Sequence, residues 1–236
     1  MARMIKMEAV VFARYFKQLA FTMAFTMACV AIGMGTISAI PSIAFVMMMF
    51  SASVSGSAYD EQNDWGAYRL VLPVSRRDVV LGRYAFNLLA ALTASALAAL
   101  LVGIFVLAGR LLPLTGFAAD LLAWNEEVSM AAVAGMVSCA CIALAMSSVT
   151  LPAYFKLGQT KATQWLPFIM LLLSVAPFVA IGFIGGEALE MLESAMEASR
   201  ATGGFGPVGL GALAVALAAY ALSACVSVRL YEGRDL

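Results

Sequence analysis

The chain has 236 residues, of which 63% are hydrophobic and 12% charged, with 14 basic and 14 acidic side chains balancing to a formal net charge of zero. That is about half the charged share of an ordinary soluble domain, and too much apolar surface for a soluble fold of this size to bury. The even balance supplies neither a basic patch for nucleic acid nor an acidic tail for a soluble partner.

Residues 1–17 combine Arg3, Lys6, Arg14 and Lys17 with Ile5, Ala9, Phe12 and Phe16 near helical spacing. This pattern predicts a helix lying at the membrane interface, its cations reaching headgroups. The alternative is that the first span simply starts early. The basic region is too long for a signal peptide, and no small-residue cleavage site follows. Apolar runs of bilayer-spanning length then predict six spans, at 19–37, 43–58, 84–108, 129–149, 165–184 and 208–228. Pro41 marks a tight turn between the first two, which therefore form a hairpin. The expected fold is an all-α integral membrane protein, a single transmembrane domain over 1–236 with an external connection at 187–206.

Lysines and arginines left between spans report orientation, because positive loops stay cytoplasmic. With the N-terminus inside, Arg3, Lys6, Arg14, Lys17, Arg69, Arg76, Arg77, Arg83, Lys156, Lys161, Arg229 and Arg234 all fall on the inner side. The outer side keeps only Arg110 and Arg200, beside the acids Asp120, Glu126, Glu127, Glu187, Glu190, Glu193 and Glu197. Both termini are therefore expected in the cytoplasm.

Ser51, Ser53, Ser55 and Ser57 recur at every second position of the second span, so they are expected to spread around the helix rather than form one polar stripe. Cys29, Cys139, Cys141 and Cys225 fall within spans and read as small hydrophobes, not as a disulfide framework or metal site. Gly182 and Gly186 have the spacing of a close helix contact, although such matches arise by chance in Gly-rich spans. Beyond them, Leu189, Leu192 and Met196 alternate with Glu190, Glu193 and Glu197 in an amphipathic pattern, a cap on the outer exit or a plain solvated connection. The 110–128 connection, with Pro113 and Gly116, is a second candidate lip.

The chain has no histidine, which removes imidazole nucleophile pairs, proton relays and the usual zinc sites. The Gly-Lys dipeptide of a phosphate-binding loop does not occur, so the chain is not expected to hydrolyse ATP itself. No span core holds an obvious ionisable residue of the kind that ion-coupled pumps place in mid-membrane.

The connection at 59–83 is the most informative segment. Asp60, Glu61 and Asp64 open it, Trp65, Tyr68, Arg69 and Leu72 follow, and Pro73 breaks the run. Ser75 then reads as an N-cap with Asp78 completing a capping box, and Arg76 and Arg77 start a new helix. Cations in a first turn oppose the helix dipole, so these arginines serve lipid, a partner or topology. Taken without any relative, the segment also reads as a solvated loop with positive-inside arginines.

With Leu72-Pro73, Ser75-Arg76-Arg77, Val79-Val80 and Tyr84, this segment resembles the ABC-2 family of ABC transporter permeases, in particular small six-span bacterial members. The resemblance covers the whole chain as topology and the motif over residues 60–84. It implies that 59–72 is a coupling helix docking on a separate ABC-type ATPase subunit through Asp60, Glu61, Asp64, Trp65, Tyr68, Arg69 and Leu72. Pro73, Ser75, Arg76 and Arg77 would then anchor the start of the third helix. It further implies a second permease subunit, identical or similar, and contact with membrane lipid. ATP and magnesium would reside in the partner, and the chain would act as an export permease in a bacterial cell membrane. A non-transporting membrane scaffold using the same loop is the competing class, and an adjacent gene for a phosphate-loop ATPase discriminates the two.

Overall fold

The computed structural model describes residues 2–62, 75–112, 115–158, 160–162, 164, 190–191, 193–194, 197 and 207–233. Among these, every regular element is helical: α1 (Ala2–Met34), α2 (Ile40–Gln62), α3 (Arg76–Leu111), α4 (Phe117–Leu121), α5 (Glu126–Leu157) and α6 (Pro207–Glu232). All except the five-residue α4 contain a stretch long and apolar enough to cross a membrane, giving five candidate spans. They coincide with five of the six predicted ones. The expected span at 165–184, the Gly182/Gly186 pair and most of the 187–206 connection lie outside the described residues. Glu190, Met191, Glu193, Ser194 and Glu197 are helical within that connection.

Residues 2–17 continue into the first span as one helix, and no turn separates an interfacial segment from it. The face packed on the other helices shares only Phe12 with the expected lipid-facing stripe of Ile5, Ala9, Phe12 and Phe16. Met4, Glu8, Val11 and Phe12 point inward, whereas Ala9 and Phe16 are exposed. The i, i+4 spacing of Met4, Glu8 and Phe12 sets that face, so the buried stripe includes an acid.

Helix ends follow local chemistry. Gly35, at φ 66°, ends α1. Its N–H donates to the Ile32 carbonyl and that of Thr36 to Ala31, the paired bonds of a Schellman cap. The turn is thus centred on 35–39, and Pro41 stands in the first turn of α2, where its missing N–H costs nothing. Asn125 caps α5 by accepting from Val128 N–H at 2.8 Å, with Glu126 and Glu127 favourably placed in the first turn. Gly158, at φ 78°, closes α5.

α2, α3, α6 and α5 pack in a ring, each touching the next, and α1 lies across α2 and α3. The shared core includes Phe45, Met49, Val80, Tyr84, Leu144, Leu151 and Tyr220, with alanines such as Ala91, Ala143 and Ala216 letting backbones approach. Phe12 of α1 meets Phe86 of α3 edge-to-face at 5.7 Å between centroids. Gly82 lets α1 cross closely, since a Cβ there would stand 2.6 Å from Met4 Cβ. The outer faces are the reverse of a soluble protein's. Leu92, Leu97, Leu100, Leu101 and Ile104 of α3 and Phe21 and Phe25 of α1 are exposed, an apolar surface that suits a membrane and not water. With 36 residues, α3 is about 54 Å long at about 1.5 Å per residue, well beyond a ~30 Å hydrocarbon core. Its first turn, with Arg76, Arg77 and Asp78, therefore stands outside the membrane.

Candidate functional site at the charged end of the bundle

The segment singled out in the sequence leaves α2 at Gln62 and returns at Ser75, so its two ends are fixed by the facing ends of α2 and α3. There, Ser53, Ser57 and Asp60 fall on one face of α2, three or four residues apart, opposite Arg83 and Asn87 of α3. Asn87 Nδ2 donates to Ser53 Oγ at 2.8 Å. One turn nearer the end, Arg83 Nη1 reaches Ser57 Oγ at 3.5 Å, and Arg83 Nη2 pairs with Asp60 Oδ2 at 2.8 Å. Ser53 and Ser57 are buried, unlike half-buried Ser51 and Ser55. The even spacing of four serines hid an i, i+4 pair that, with Asn87 and Arg83, does make a polar stripe between two helices.

Arg83 is the centre. It was counted among inner-side loop charges, yet it is only 2% exposed, as is Glu8 at 5%. Arg83 Nη2 and Nε both donate to Glu8 Oε1, at 3.0 and 3.3 Å, so one guanidinium binds carboxylates from α1 and α2 at once. The planar fork of arginine suits such shared recognition, which a lysine ammonium would not reproduce. The guanidinium also lies over the Phe155 ring of α5, 5.4 Å from its centroid. Gly56 makes the approach possible: a Cβ there would lie 2.9 Å from Glu8 Oε2 and 3.1 Å from Arg83 Nε. Sequence reading missed Glu8 and the burial of Arg83. The available signal was Glu8 on the Met4–Phe12 stripe.

The returning end is fastened separately. Ser75 caps α3 as expected, its Oγ accepting from Asp78 N–H at 3.1 Å and donating to Asp78 Oδ2 at 2.8 Å. That hydrogen bond is the largest influence holding the exposed Asp78 carboxyl below its ordinary value. Arg76, whose position in a first turn opposed the helix dipole, donates through Nη1 to the Tyr231 and Glu232 carbonyls at 3.0 and 2.9 Å, capping the end of α6. Its guanidinium lies 5.9 Å from the Tyr231 ring centroid, and that ring meets Phe155 edge-to-face at 5.4 Å. Arg76, Tyr231, Phe155 and Arg83 thus form one line of contacts across α3, α6 and α5. Arg77 is exposed. At the other end, Glu61 accepts from Thr160 N–H at 2.9 Å and from its hydroxyl, tying α2 to the turn after α5. Deeper in the bundle, Tyr84 Oη contacts Ser223 and Ser227 Oγ at 2.8 Å, joining α3 to α6.

Of the residues expected to dock a partner, Asp60 and Glu61 are therefore engaged in contacts within the chain, one with Arg83 and one with Thr160. Asp64, Trp65, Tyr68, Arg69, Leu72 and Pro73 lie outside the described residues. Among the described residues no group of three or more His, Cys, Asp or Glu stands together for a metal ion.

A bundle of apolar helices whose charged end frames one connection fits a transporter or a scaffold alike, and the family comparison decides between them. The family model described as ABC-2 family transporter protein matches residues 3–232. The chain belongs to the ABC-2 transporter family. It is thus a multi-pass transmembrane permease of the ABC transporter type, and the match takes in the Glu8, Asp60 and Arg83 cluster as well as the 59–83 connection. The expected resemblance is confirmed at the level of family. No curated protein and no solved structure matches the chain.

Proposed function

We propose that the chain is the permease subunit of a bacterial ABC exporter, sitting in the cytoplasmic membrane with both termini inside and working with a second permease copy or relative. ATP, with magnesium, is hydrolysed by a separate ATPase subunit that docks on 59–72. The observation carrying this reading is the family match over nearly the whole chain. The cytoplasmic orientation is supported by the basic residues gathered at the end that carries the connection.

The cross-braced helix ends give the reading a mechanical basis. Were the facing ends of α2 and α3 free of the other helices, a push from the ATPase would be dissipated before it reached the spans. Instead, α2 leaves through Asp60 and Glu61, held to α3 and to the turn after α5. α3 returns through Arg76, held to α6. A displacement of the connection is consequently delivered to the ring of helices through short polar contacts, which suits a rigid-body switch better than a local loop movement.

The test is co-purification of the detergent-solubilised chain from its native cells, with Trp65→Ala/Tyr68→Ala as the variant. A phosphate-loop ATPase that co-purifies with the parent chain and is lost from the variant, with membrane insertion unchanged, is the expected result. Consistent absence of any ATPase from the intact bundle overturns the transporter assembly in favour of a scaffold. An ATPase retained by the variant relocates the docking segment.

A further inference from the structure

At the end of the bundle remote from Arg83, α3 and α5 wall a groove of about 440 Å³. Ala99, Val102, Gly103 and Val106 line one wall, and Ser129, Ala132, Val133 and Met136 the other. Each set follows i, i+3, i+4, i+7, so each is one continuous helix face. Pro41 of α2 and Trp124 complete the lining. Ser129 Oγ is occupied in donating to the Glu126 carbonyl at 2.7 Å, so the walls present carbon almost throughout. From Ala99 to Val106 the groove runs about 10 Å along α3, room for part of an alkyl chain and not for a folded segment of protein.

The charges at its mouth say what the head of such a chain carries. One turn beyond Val106 on the same face stands Arg110, and one turn before Ser129 stands Glu126, both exposed. Glu127 follows on α5, and Asp120 lies in α4 between them. Arg110 and Glu126 thus continue the two faces that line the groove, in a stretch where acids outnumber the cation, a setting that accepts a group bearing both a phosphate and an ammonium and repels one that is purely anionic.

We propose that this groove binds a bilayer phospholipid with a zwitterionic headgroup, one acyl chain lying between α3 and α5, its phosphate at Arg110 and its ammonium at Glu126. The occupant is a lipid of the surrounding leaflet, and the site is independent of nucleotide, ATPase and cargo.

Trp124 reports on it directly. The chain has three tryptophans, at positions 65, 124 and 165, so Trp65→Phe/Trp165→Phe leaves Trp124 as sole fluorophore. In mixed micelles, phosphatidylethanolamine with brominated acyl chains is expected to quench Trp124 with saturation, at least five-fold more tightly than brominated phosphatidylglycerol. Gly103→Leu should weaken it by a similar factor. A Cβ at Gly103 meets nothing within 4 Å, so the leucine enters the groove without a clash. Ala132→Leu fills the opposite wall and serves as the second variant, with thermal unfolding checking that both fold. Quenching that rises in proportion to brominated lipid and is unchanged in both filled variants means ordinary bilayer contact and overturns the site. Equal affinity for the two headgroups overturns the assignment of Arg110 and Glu126. Absence of quenching, with Gly103→Cys forming a disulfide between two chains, makes the groove a subunit interface and also overturns it.

Discussion

Replacing Arg83 by leucine tests the buried charge cluster most severely. In the wild type, Glu8 is 5% exposed and pairs with Arg83 at 3.0 Å. Removing the guanidinium takes from that buried carboxylate the cation it is paired with, and breaking a buried pair from one side costs about 3–5 kcal/mol. Asp60, at 22% side-chain exposure, is wetter, and its pairing adds no more than about 1 kcal/mol. We therefore expect Arg83→Leu to lower stability by about 3 kcal/mol, a factor of about a hundred in the folded-to-unfolded ratio. Glu8→Leu/Arg83→Leu should recover most of this loss, because a packed apolar pair needs no compensation. Arg83→Lys should recover only part, since an ammonium cannot serve both carboxylates with the same fork. The assay is reversible unfolding in mixed micelles by titration with a denaturing detergent, read by circular dichroism as a double-mutant cycle. Single variants within about 0.5 kcal/mol of wild type, or strictly additive losses in the double variant, would refute the idea that Glu8 and Arg83 are energetically one unit.

Gly56→Ala should destabilise by about 1–3 kcal/mol through overpacking against Glu8 and Arg83, whereas Gly33→Ala, with nothing within 4 Å, should be neutral or stabilise by about 0.5–1 kcal/mol in the same titration. Asn87 donates to Ser53, yet its Oδ1 is buried without a partner among the described residues. Asn87→Leu/Ser53→Ala is accordingly expected to fall within about 1 kcal/mol of wild type, and a loss above about 3 kcal/mol would reveal a further role for the amide. Ser75→Ala should let the Asp78 carboxyl rise toward its ordinary 3.8, followed by its carbon-13 chemical shift against pH. Because the folded-state value is depressed, the cap's contribution is present above that ordinary value and is lost as pH falls through the folded one.

Hydropathy made five spans legible because a bilayer demands about 20 apolar residues whatever their neighbours. The Ser75 cap was legible for a similar reason: its partners lie three residues apart, and local hydrogen bonding needs no tertiary knowledge. Arg83 was opaque. A sequence window assigns a cost to each charge by type, but the cost here is cancelled by Glu8, 75 positions away, and Asp60, 23 positions away. Arg76 was half legible, since its conflict with its own helix dipole was visible and the α6 carbonyls that resolve it were not. Glu8 was opaque in the same way as Arg83. The spacing of Ile5, Ala9, Phe12 and Phe16 was visible, but nothing local showed that Glu8 would be buried, where the close approaches at Gly82 and Gly56 set it beside Arg83.

The grip of Arg76 on the last carbonyls of α6 bears on how the protein is best handled. It brings Tyr231 and Glu232 to the corner where the chain re-enters from the α2–α3 connection, so an affinity tag or fluorescent protein joined close behind α6 would crowd the surface on which a partner is proposed to land. A purification that relies on such a fusion would strip off, by simple obstruction, the subunit it was meant to recover. A label introduced at the exposed α3–α5 connection, at the opposite end of the bundle, leaves that corner open.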